Sequence, residues 1–363
     1  MELKGSIERW PIESSLEELS LLARTAGAEV VGRLTQRLVK PSPACYLGKG
    51  KLGELVALKG ETSYSMVIFD DELSPLQQRN LEQALQVKVI DRTALILDIF
   101  ARRAQTREGQ LQVELAQHRY LLPRLAGQWS HLERLGGGIG TRGPGESQIE
   151  TDRRLIRRKI HHLEAEVEEV RKHRALYRQQ RRKSGIPIVA LVGYTNAGKS
   201  TLLNAFSKAN VLVEDKLFVT LDPVTRRLTL PDNHQVLVTD TVGFIQKLPA
   251  TVVAAFRATL EELAEADLLL HIIDISHQNA AEQCQVVEDV LTELNLTQKP
   301  MLTVLNKADL LQRADGEAAI ALLSQQFKLS RRGVVLISAA KGWGLDRLLS
   351  QMAGIIGTPS ACR

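Results

Sequence analysis

The sequence predicts an α/β protein: an N-terminal α/β domain with an antiparallel helical hairpin, followed by a second domain built on a doubly wound, mostly parallel sheet. Three observations predict this fold class. Strand-like and helix-like stretches alternate in residues 1–100, apolar residues recur at helical spacing in 101–183, and apolar runs alternate with helical stretches in 184–363. Such alternation is typical of sheets covered by helices.

The composition excludes several classes of protein. No run of about 18 apolar residues occurs, and the opening MELKGSIERWPIESS lacks the basic and apolar regions of a signal peptide. Cys45, Cys284 and Cys362 are far apart and have no Cys or His partner at metal-ligand spacing. We therefore expect a cytoplasmic protein with no membrane span, no disulfide framework and no zinc site.

The first 100 residues predict a small α/β domain. EVVGRL (29–34), YSMVIFDD (64–71) and VKVID (87–91) are strand candidates. SPLQQRNLEQAL predicts a helix with Ser74 as N-cap and Pro75 at the first helical position. A helix between two strands predicts at least partly parallel pairing.

Residues 101–183 predict two helices that form an antiparallel hairpin, with a glycine-rich tip at 126–148. Each helix carries one apolar seam at steps of three and four residues. The seams comprise Leu111, Leu115, His118, Leu122 and Leu125 on one helix, and Ile156, Ile160, Leu163, Val167 and Val170 on the other. The segment has 19 Lys and Arg against 10 Asp and Glu. This excess favours a polyanionic partner, although a solvated hairpin that is merely rich in arginine is an equal alternative.

Two glycine-rich loops are candidates for a nucleotide-binding site. LGGGIGTRGPGES (135–147) contains Gly138, Gly140 and Gly143 in the order G-x-G-x-x-G, but it does not follow a buried strand, so it is a poor dinucleotide site. GYTNAGKS (193–200) follows the apolar run IPIVALV and opens a helix, as a phosphate-binding P-loop requires. The predicted nucleotide-binding residues here are Gly193, Tyr194, Thr195, Asn196, Ala197, Gly198, Lys199, Ser200 and Thr201.

The residues of the P-loop and of the motif that follows it can be given roles in binding the phosphates and Mg²⁺. Lys199 reaches the β- and γ-phosphates, and the Ser200 hydroxyl ligates Mg²⁺. VTDTVGF places Asp240 at the end of a strand, where it helps to hold Mg²⁺, and Gly243 where its N–H meets the γ-phosphate. Thr220 and Thr225 are both candidates for a threonine that senses the γ-phosphate.

Two later motifs indicate guanine as the base. LNKAD places Asn306, Lys307 and Asp309 at the end of a strand, where ligands of such sheets bind. A carboxylate there accepts from both the ring N–H and the amino group of guanine, a pair of donors that adenine lacks. ISAAKG adds Ser338 and the Ala339 N–H, suited to the guanine carbonyl oxygen.

The four motifs, each at a strand end and in this order, resemble those of translation-type GTPases. Phe244 stands where many small GTPases carry the glutamine that orients the attacking water. We therefore expect GTP hydrolysis that is slow in isolation and stimulated by a partner. Asn196 is similar to an asparagine that binds potassium in some cation-stimulated GTPases, and a plain turn residue is the alternative.

The resemblance extends to the HflX family of ribosome-associated GTPases and covers about residues 25–356. It rests on LGKGKLGEL (47–55), FDDELSPLQQRNLE (69–82), VIDRTALILDIFARRAQTREGQLQVELAQHRYLLPRL (89–125), GGGIGTRGPGESQIETDRRLIRRKI (136–160) and LFVTLDPVTRRL (217–228). The same resemblance aligns Thr220 with the switch threonine, which makes Lys199, Thr220 and Gly243 the catalytic candidates and Ser200, Thr220 and Asp240 the metal ligands.

The family implies a GTP- and GDP-binding protein that binds the large ribosomal subunit and its rRNA and splits stalled ribosomes. We expect a monomer, although no sequence feature specifies the oligomeric state. Assembly or regulation without splitting is the alternative. The resemblance makes the hairpin tip an RNA contact, with Gly138, Gly140, Arg142, Arg153 and Arg154 as the contacting residues. Many bacterial members have a further C-terminal domain, and its ribosome contacts are not expected from this sequence.

Overall fold

The computed structural model describes residues 2–3, 10–125, 144–183, 185–207, 217–218, 220–249, 252–253, 262–311 and 333–357. The chain divides into unit 1, residues 1–170 and 247–255, and unit 2, residues 171–246 and 256–363. The helices are α1 (Ile12–Thr25), α2 (Lys49–Thr62), α3 (Pro75–Leu85), α4 (Arg92–Arg103), α5 (Arg107–Leu121), α6 (Pro144–Lys183), α7 (Lys199–Ser207), α8 (Ala280–Glu293) and α9 (Leu345–Gly357). The strands are β1 (Glu2–Leu3), β2 (Arg37–Leu38), β3 (Met66–Phe69), β4 (Lys88–Asp91), β5 (Ile188–Gly193), β6 (Val224–Thr229), β7 (Gln235–Asp240), β8 (Leu268–Asp274), β9 (Met301–Asn306) and β10 (Val334–Leu336).

Unit 1 contains two short parallel strand pairs, β1 with β2 and β3 with β4. The β3–α3–β4 crossover confirms the predicted parallel pairing. Helix α3 begins at a capping box, because Ser74 Oγ accepts from Gln77 N at 3.2 Å and Gln77 Oε1 accepts from Ser74 N at 3.0 Å.

The predicted strand at residues 29–34 is wrong. The segment is irregular and none of its side chains is fully buried. The strand signal came from Val30, Val31 and Leu34, but of these only Leu34 packs against the core of unit 1, and Val31 is 53% exposed. The segment therefore lacks the continuous half-buried face on which β-propensity depends.

Helices α5 and α6 pack through the predicted seams. Leu111 and Leu115 of α5 form a buried cluster with Ile160 and Leu163 of α6. The Glu114–Lys159 ion pair, at 3.0 Å, lies beside this cluster. Most of the predicted tip, residues 126–143, is outside the described residues.

Unit 2 contains a six-stranded sheet in the order β10-β9-β8-β5-β7-β6. All neighbours pair in parallel except the edge strand β6, which is antiparallel to β7 and was not predicted from its polar sequence VTRRLT. The central strands β5 and β8 are buried along their whole length, as expected for a sheet covered on both faces. No helix among the described residues is long and apolar enough to cross a membrane.

Candidate nucleotide-binding site

The P-loop runs from the end of β5 at Gly193 to the start of α7 at Lys199. Two close approaches require its glycines. A Cβ on Gly193 would lie 2.3 Å from the Ile272 carbonyl oxygen, and one on Gly198, whose φ is +94°, would lie 2.2 Å from Asn306 Nδ2. A side chain at either position would displace the loop, so the sequence fixes the loop's path.

Asn306, at the end of β9, ties the P-loop to the last predicted motif. Its Nδ2 donates to Ala197 O at 2.8 Å, and its Oδ1 accepts from Ala339 N at 3.0 Å. Ser338 Oγ donates to Asp309 Oδ1 at 2.6 Å. The structure therefore brings together three segments that are far apart in the sequence.

Lys307 lies beside these residues. Its Nζ pairs with Asp274 Oδ2 at 2.7 Å, and its backbone has a left-handed φ of +65°. This geometry turns the chain directly after β9, into the short 3₁₀ helix Ala308–Leu310 that carries Asp309.

Three oxygen-bearing side chains meet at the start of α7. Ser200 Oγ and Thr220 Oγ1 both donate to Asp240 Oδ2, at 2.6 and 3.1 Å. Asp240 Oδ1 is buried and has no hydrogen-bond partner among the described residues. Hydroxyl and carboxylate oxygens with a free acceptor are a donor set that suits Mg²⁺. Thr225, the other candidate, instead lies on β6 and bonds Thr239 at 2.9 Å.

Lys199, at the start of α7, is almost completely buried, 6% exposed. Its Nζ donates to Tyr194 O at 2.8 Å and to Gly193 O at 3.2 Å. Burial lowers the pKa of Lys199 to about 8 against the attraction of Asp240, and burial likewise raises the pKa of Asp240 against the attraction of Lys199. At both residues, therefore, the attraction of the opposite charge does not offset the cost of burying the charged form.

The segment around Gly243 is hydrogen-bonded to the P-loop. Phe244 N donates to Gly193 O at 3.1 Å, and Thr195 N donates to Phe244 O at 2.7 Å. Gln246 N donates to the Tyr194 hydroxyl at 2.8 Å. The Phe244 side chain is buried, 4% exposed, and is an apolar packing residue.

Sequence reasoning missed the role of the Tyr194 hydroxyl as a hydrogen-bond acceptor for Gln246 N, because nothing in the P-loop pattern specifies that position.

Asn196 has a φ of +62°, a left-handed conformation that asparagine adopts readily, which favours the plain turn alternative. Thr201 follows Ser200 in the first turn of α7.

The predicted RNA contacts divide into two groups. Gly138, Gly140 and Arg142 lie outside the described residues. Arg153 and Arg154 lie on α6, where Arg153 is half-buried and Arg154 is exposed.

Three family models match the chain. They are described as GTP-binding GTPase N-terminal (residues 13–101), GTP-binding GTPase middle region (103–181) and 50S ribosome-binding GTPase (188–307). GTPase HflX of Caldanaerobacter subterraneus is 53% identical over 93% of this chain and 76% of the relative. The chain belongs to the HflX family of GTPases.

Two further comparisons agree with this family. GTPase HflX of Escherichia coli K12 is 47% identical over 93% of this chain and 78% of its own. A GTP-binding protein from the archaeon Sulfolobus solfataricus, solved in complex with GDP, has a TM-score of 0.51 and 25% identity, covering 96% of this chain and 97% of that one. As an HflX-family member with a ribosome-binding GTPase domain, the protein hydrolyses GTP, and P-loop GTPases generally use Mg²⁺.

Proposed function

We propose that this HflX-family protein is a GTP-dependent switch that binds the large ribosomal subunit and dissociates stalled ribosomes. The observation that carries the proposal is the contact of Thr220 with both Ser200 and Asp240, at 2.8 and 3.1 Å. A threonine bonded to metal-binding groups senses whether a γ-phosphate and its ion are present. GTP would hold the Thr220 segment in place, and hydrolysis would release it.

The remaining site residues divide between phosphates, metal and base. The P-loop N–H groups from Asn196 to Thr201 and the Lys199 ammonium would bind the phosphates, while the Thr195 N–H is engaged by Phe244 O, and the Gly243 N–H would meet the γ-phosphate. Ser200, Thr220 and Asp240 would hold Mg²⁺, directly or through water, and the ion would neutralise phosphate charge.

Guanine recognition is assigned to the loops that follow β9 and β10. The carboxylate of Asp309, oriented by Ser338, would accept from two guanine donors. The Ala339 N–H, which donates to Asn306 Oδ1 in this structure, would be shared with the base carbonyl. Asn306 and Lys307 support this arrangement from behind, because each is bonded to another part of the same unit.

The hairpin is the proposed RNA-binding element. Its charge excess favours electrostatic binding to a phosphate backbone, and glycines at the tip permit close backbone approach. We assign contacts with rRNA to Gly138, Gly140, Arg142, Arg153 and Arg154. The family's middle-region model covers this segment.

Two measurements test the proposal on the full chain. GTP hydrolysis is measured with and without purified large ribosomal subunits, in potassium and in sodium buffer, and light scattering follows intact ribosomes mixed with protein and GTP. We expect stimulation by the subunit and a GTP-dependent loss of scattering. A rate seen only in potassium would assign a K⁺ ion to Asn196.

A variant with residues 136–145 shortened separates the hairpin from the nucleotide site. It should keep the intrinsic hydrolysis rate and lose the stimulation. Stimulation without loss of scattering would favour the assembly or regulatory alternative. No stimulation in either salt would overturn the ribosome as the activating partner.

A further inference from the structure

Thr195, the third residue of the P-loop, has a buried hydroxyl that the nucleotide-site pattern leaves unexplained. The residue is 5% exposed, and its Oγ1 has no hydrogen-bond partner among the described residues. A buried hydroxyl without a partner costs about 1–3 kcal/mol, so native proteins rarely retain one without a reason. A hydrogen-bonding group of a ligand would supply the missing partner.

The surroundings of Thr195 locate that ligand group. A Cβ placed on Gly243 would lie 2.7 Å from Thr195 Cα, 2.9 Å from its Cγ2 and 2.8 Å from Lys199 Nζ. The Cα and methyl group of Thr195 and the Lys199 ammonium therefore all lie directly against Gly243. Gly243 and Lys199 are the two residues assigned above to the γ-phosphate, so Thr195 lies at the γ-phosphate end of the site.

The backbone holds Thr195 in this position. Its N–H donates to Phe244 O at 2.7 Å, and Phe244 N donates to Gly193 O at 3.1 Å. These bonds hold the P-loop, at Gly193 and at Thr195 itself, against Phe244 of the Gly243 segment. A pre-positioned donor needs little reorganisation when a charged group binds, which is the condition for strong electrostatic stabilisation.

We propose that the Thr195 hydroxyl contacts the reacting γ-phosphoryl group, donating to one of its oxygens and accepting from the attacking water. In hydrolysis the water oxygen bonds to the γ-phosphorus while the bond to the bridging oxygen breaks and its electron pair leaves with GDP. The water proton passes to the released phosphate. The hydroxyl stays unchanged and orients the attacking water, which the apolar side chain of Phe244 cannot do.

This inference rests on the nucleotide site proposed above, and three substitutions test it. Thr195→Val keeps the shape and removes the hydroxyl, Thr195→Ser keeps the hydroxyl, and Thr303→Val alters a buried threonine of β9 that is also 5% exposed. Each full-length variant is assayed for GDP affinity, for single-turnover GTP hydrolysis at saturation, and for binding of GDP with aluminium fluoride, which mimics the transferring phosphoryl group.

The expected result is specific to the hydroxyl. Thr195→Val should lower the hydrolysis rate on the order of 100-fold and weaken the aluminium fluoride complex. Its GDP affinity should stay within about threefold of wild type, which also shows that it folds. Thr195→Ser and Thr303→Val should hydrolyse GTP at close to the wild-type rate.

Other outcomes overturn the proposal in distinguishable ways. Wild-type hydrolysis in Thr195→Val would mean that the hydroxyl is not used. Equal losses in Thr195→Val and Thr195→Ser would mean that packing, not hydrogen bonding, matters at this position. Failure of the wild-type chain to bind GDP would overturn the nucleotide site itself.

Discussion

Asp70 in unit 1 and Asp240 in unit 2 are both buried carboxylates, yet their surroundings differ in kind. Asp70 Oδ1 pairs with Arg92 at 2.7 Å, and its Oδ2 accepts from Ser15 at 2.7 Å and from Lys247 at 2.6 Å. Asp240 Oδ2 accepts two hydroxyl hydrogen bonds, while its Oδ1 has no partner among the described residues.

The pKa values of the two carboxyls shift in opposite directions. Burial raises both, but the charges of Arg92 and Lys247 outweigh it at Asp70, so the pKa of Asp70 lies below its usual value. At Asp240 the pKa is raised, because burial outweighs the attraction of Lys199. We call Asp70, Arg92, Glu18 and Lys247 the saturated cluster and Asp240 and Lys199 the under-compensated cluster. The first stabilises the fold, whereas the second is suited to binding the charged groups of a ligand.

The largest expected effect is that of Lys199→Ala at the under-compensated cluster. The substitution removes a cation from the proposed phosphate site, so GTP turnover should fall by at least about 1,000-fold. The free energy of unfolding should change less than in Arg92→Met, because removing a poorly solvated buried ammonium offsets the loss of its attraction to Asp240. Turnover assays and urea denaturation measure both. Turnover within tenfold of wild type would contradict the site assignment.

Arg92→Met tests the saturated cluster. It should lower the free energy of unfolding strongly and leave GTP hydrolysis unchanged. Arg92 pairs with Asp70 and with Glu18, and all three side chains are nearly inaccessible to solvent. Removing the cation leaves the buried Glu18 carboxylate without its ion-pair partner and Asp70 with Lys247 alone, which should cost about 3–5 kcal/mol of unfolding free energy. Protein that remains folded should keep its intrinsic GTP hydrolysis rate.

The matched control for this substitution is Arg102→Met. Arg102 pairs with Asp98 at 2.8 Å, but both side chains are largely exposed. Urea denaturation should show a loss below about 1 kcal/mol. Equal losses in the two arginine variants would mean that the buried network contributes nothing beyond a surface ion pair.

The same contrast explains what the sequence could predict. The nucleotide-site residues occur in short contiguous motifs at strand ends, and the presence of five strands and their parallel direction follow from apolar runs, whereas their order in the sheet does not. The saturated cluster has no local pattern, since Arg92 lies 74 positions from Glu18 and Lys247 lies 177 positions from Asp70. The orphaned Thr195 hydroxyl was equally invisible, because its lack of a partner exists only in the folded chain.

His271 provides the smallest and sharpest test, because it is the buried titratable group beside the under-compensated cluster. It lies on β8, opposite Val192 of β5 and Thr303 of β9, and is 1% exposed. Burial, together with the positive charge of Lys199, lowers the pKa of His271 to about 4. The imidazole is therefore neutral in the folded protein at neutral pH.

The sign of the pH effect follows from this depressed pKa. Between about pH 6.5 and 4 the unfolded chain binds a proton that the folded chain does not, so stability falls as the pH is lowered through this range. The loss between pH 7 and pH 5 should be smaller in His271→Leu than in wild type by about 2 kcal/mol. Urea denaturation at both pH values measures the difference, with His161→Gln as the control because the His161 side chain is 81% exposed. If His271→Leu and wild type lost equal stability, the imidazole would already be protonated or solvated in the folded state. The under-compensated cluster would then be less desolvated than its geometry indicates, and the contrast with the saturated cluster of unit 1 would weaken.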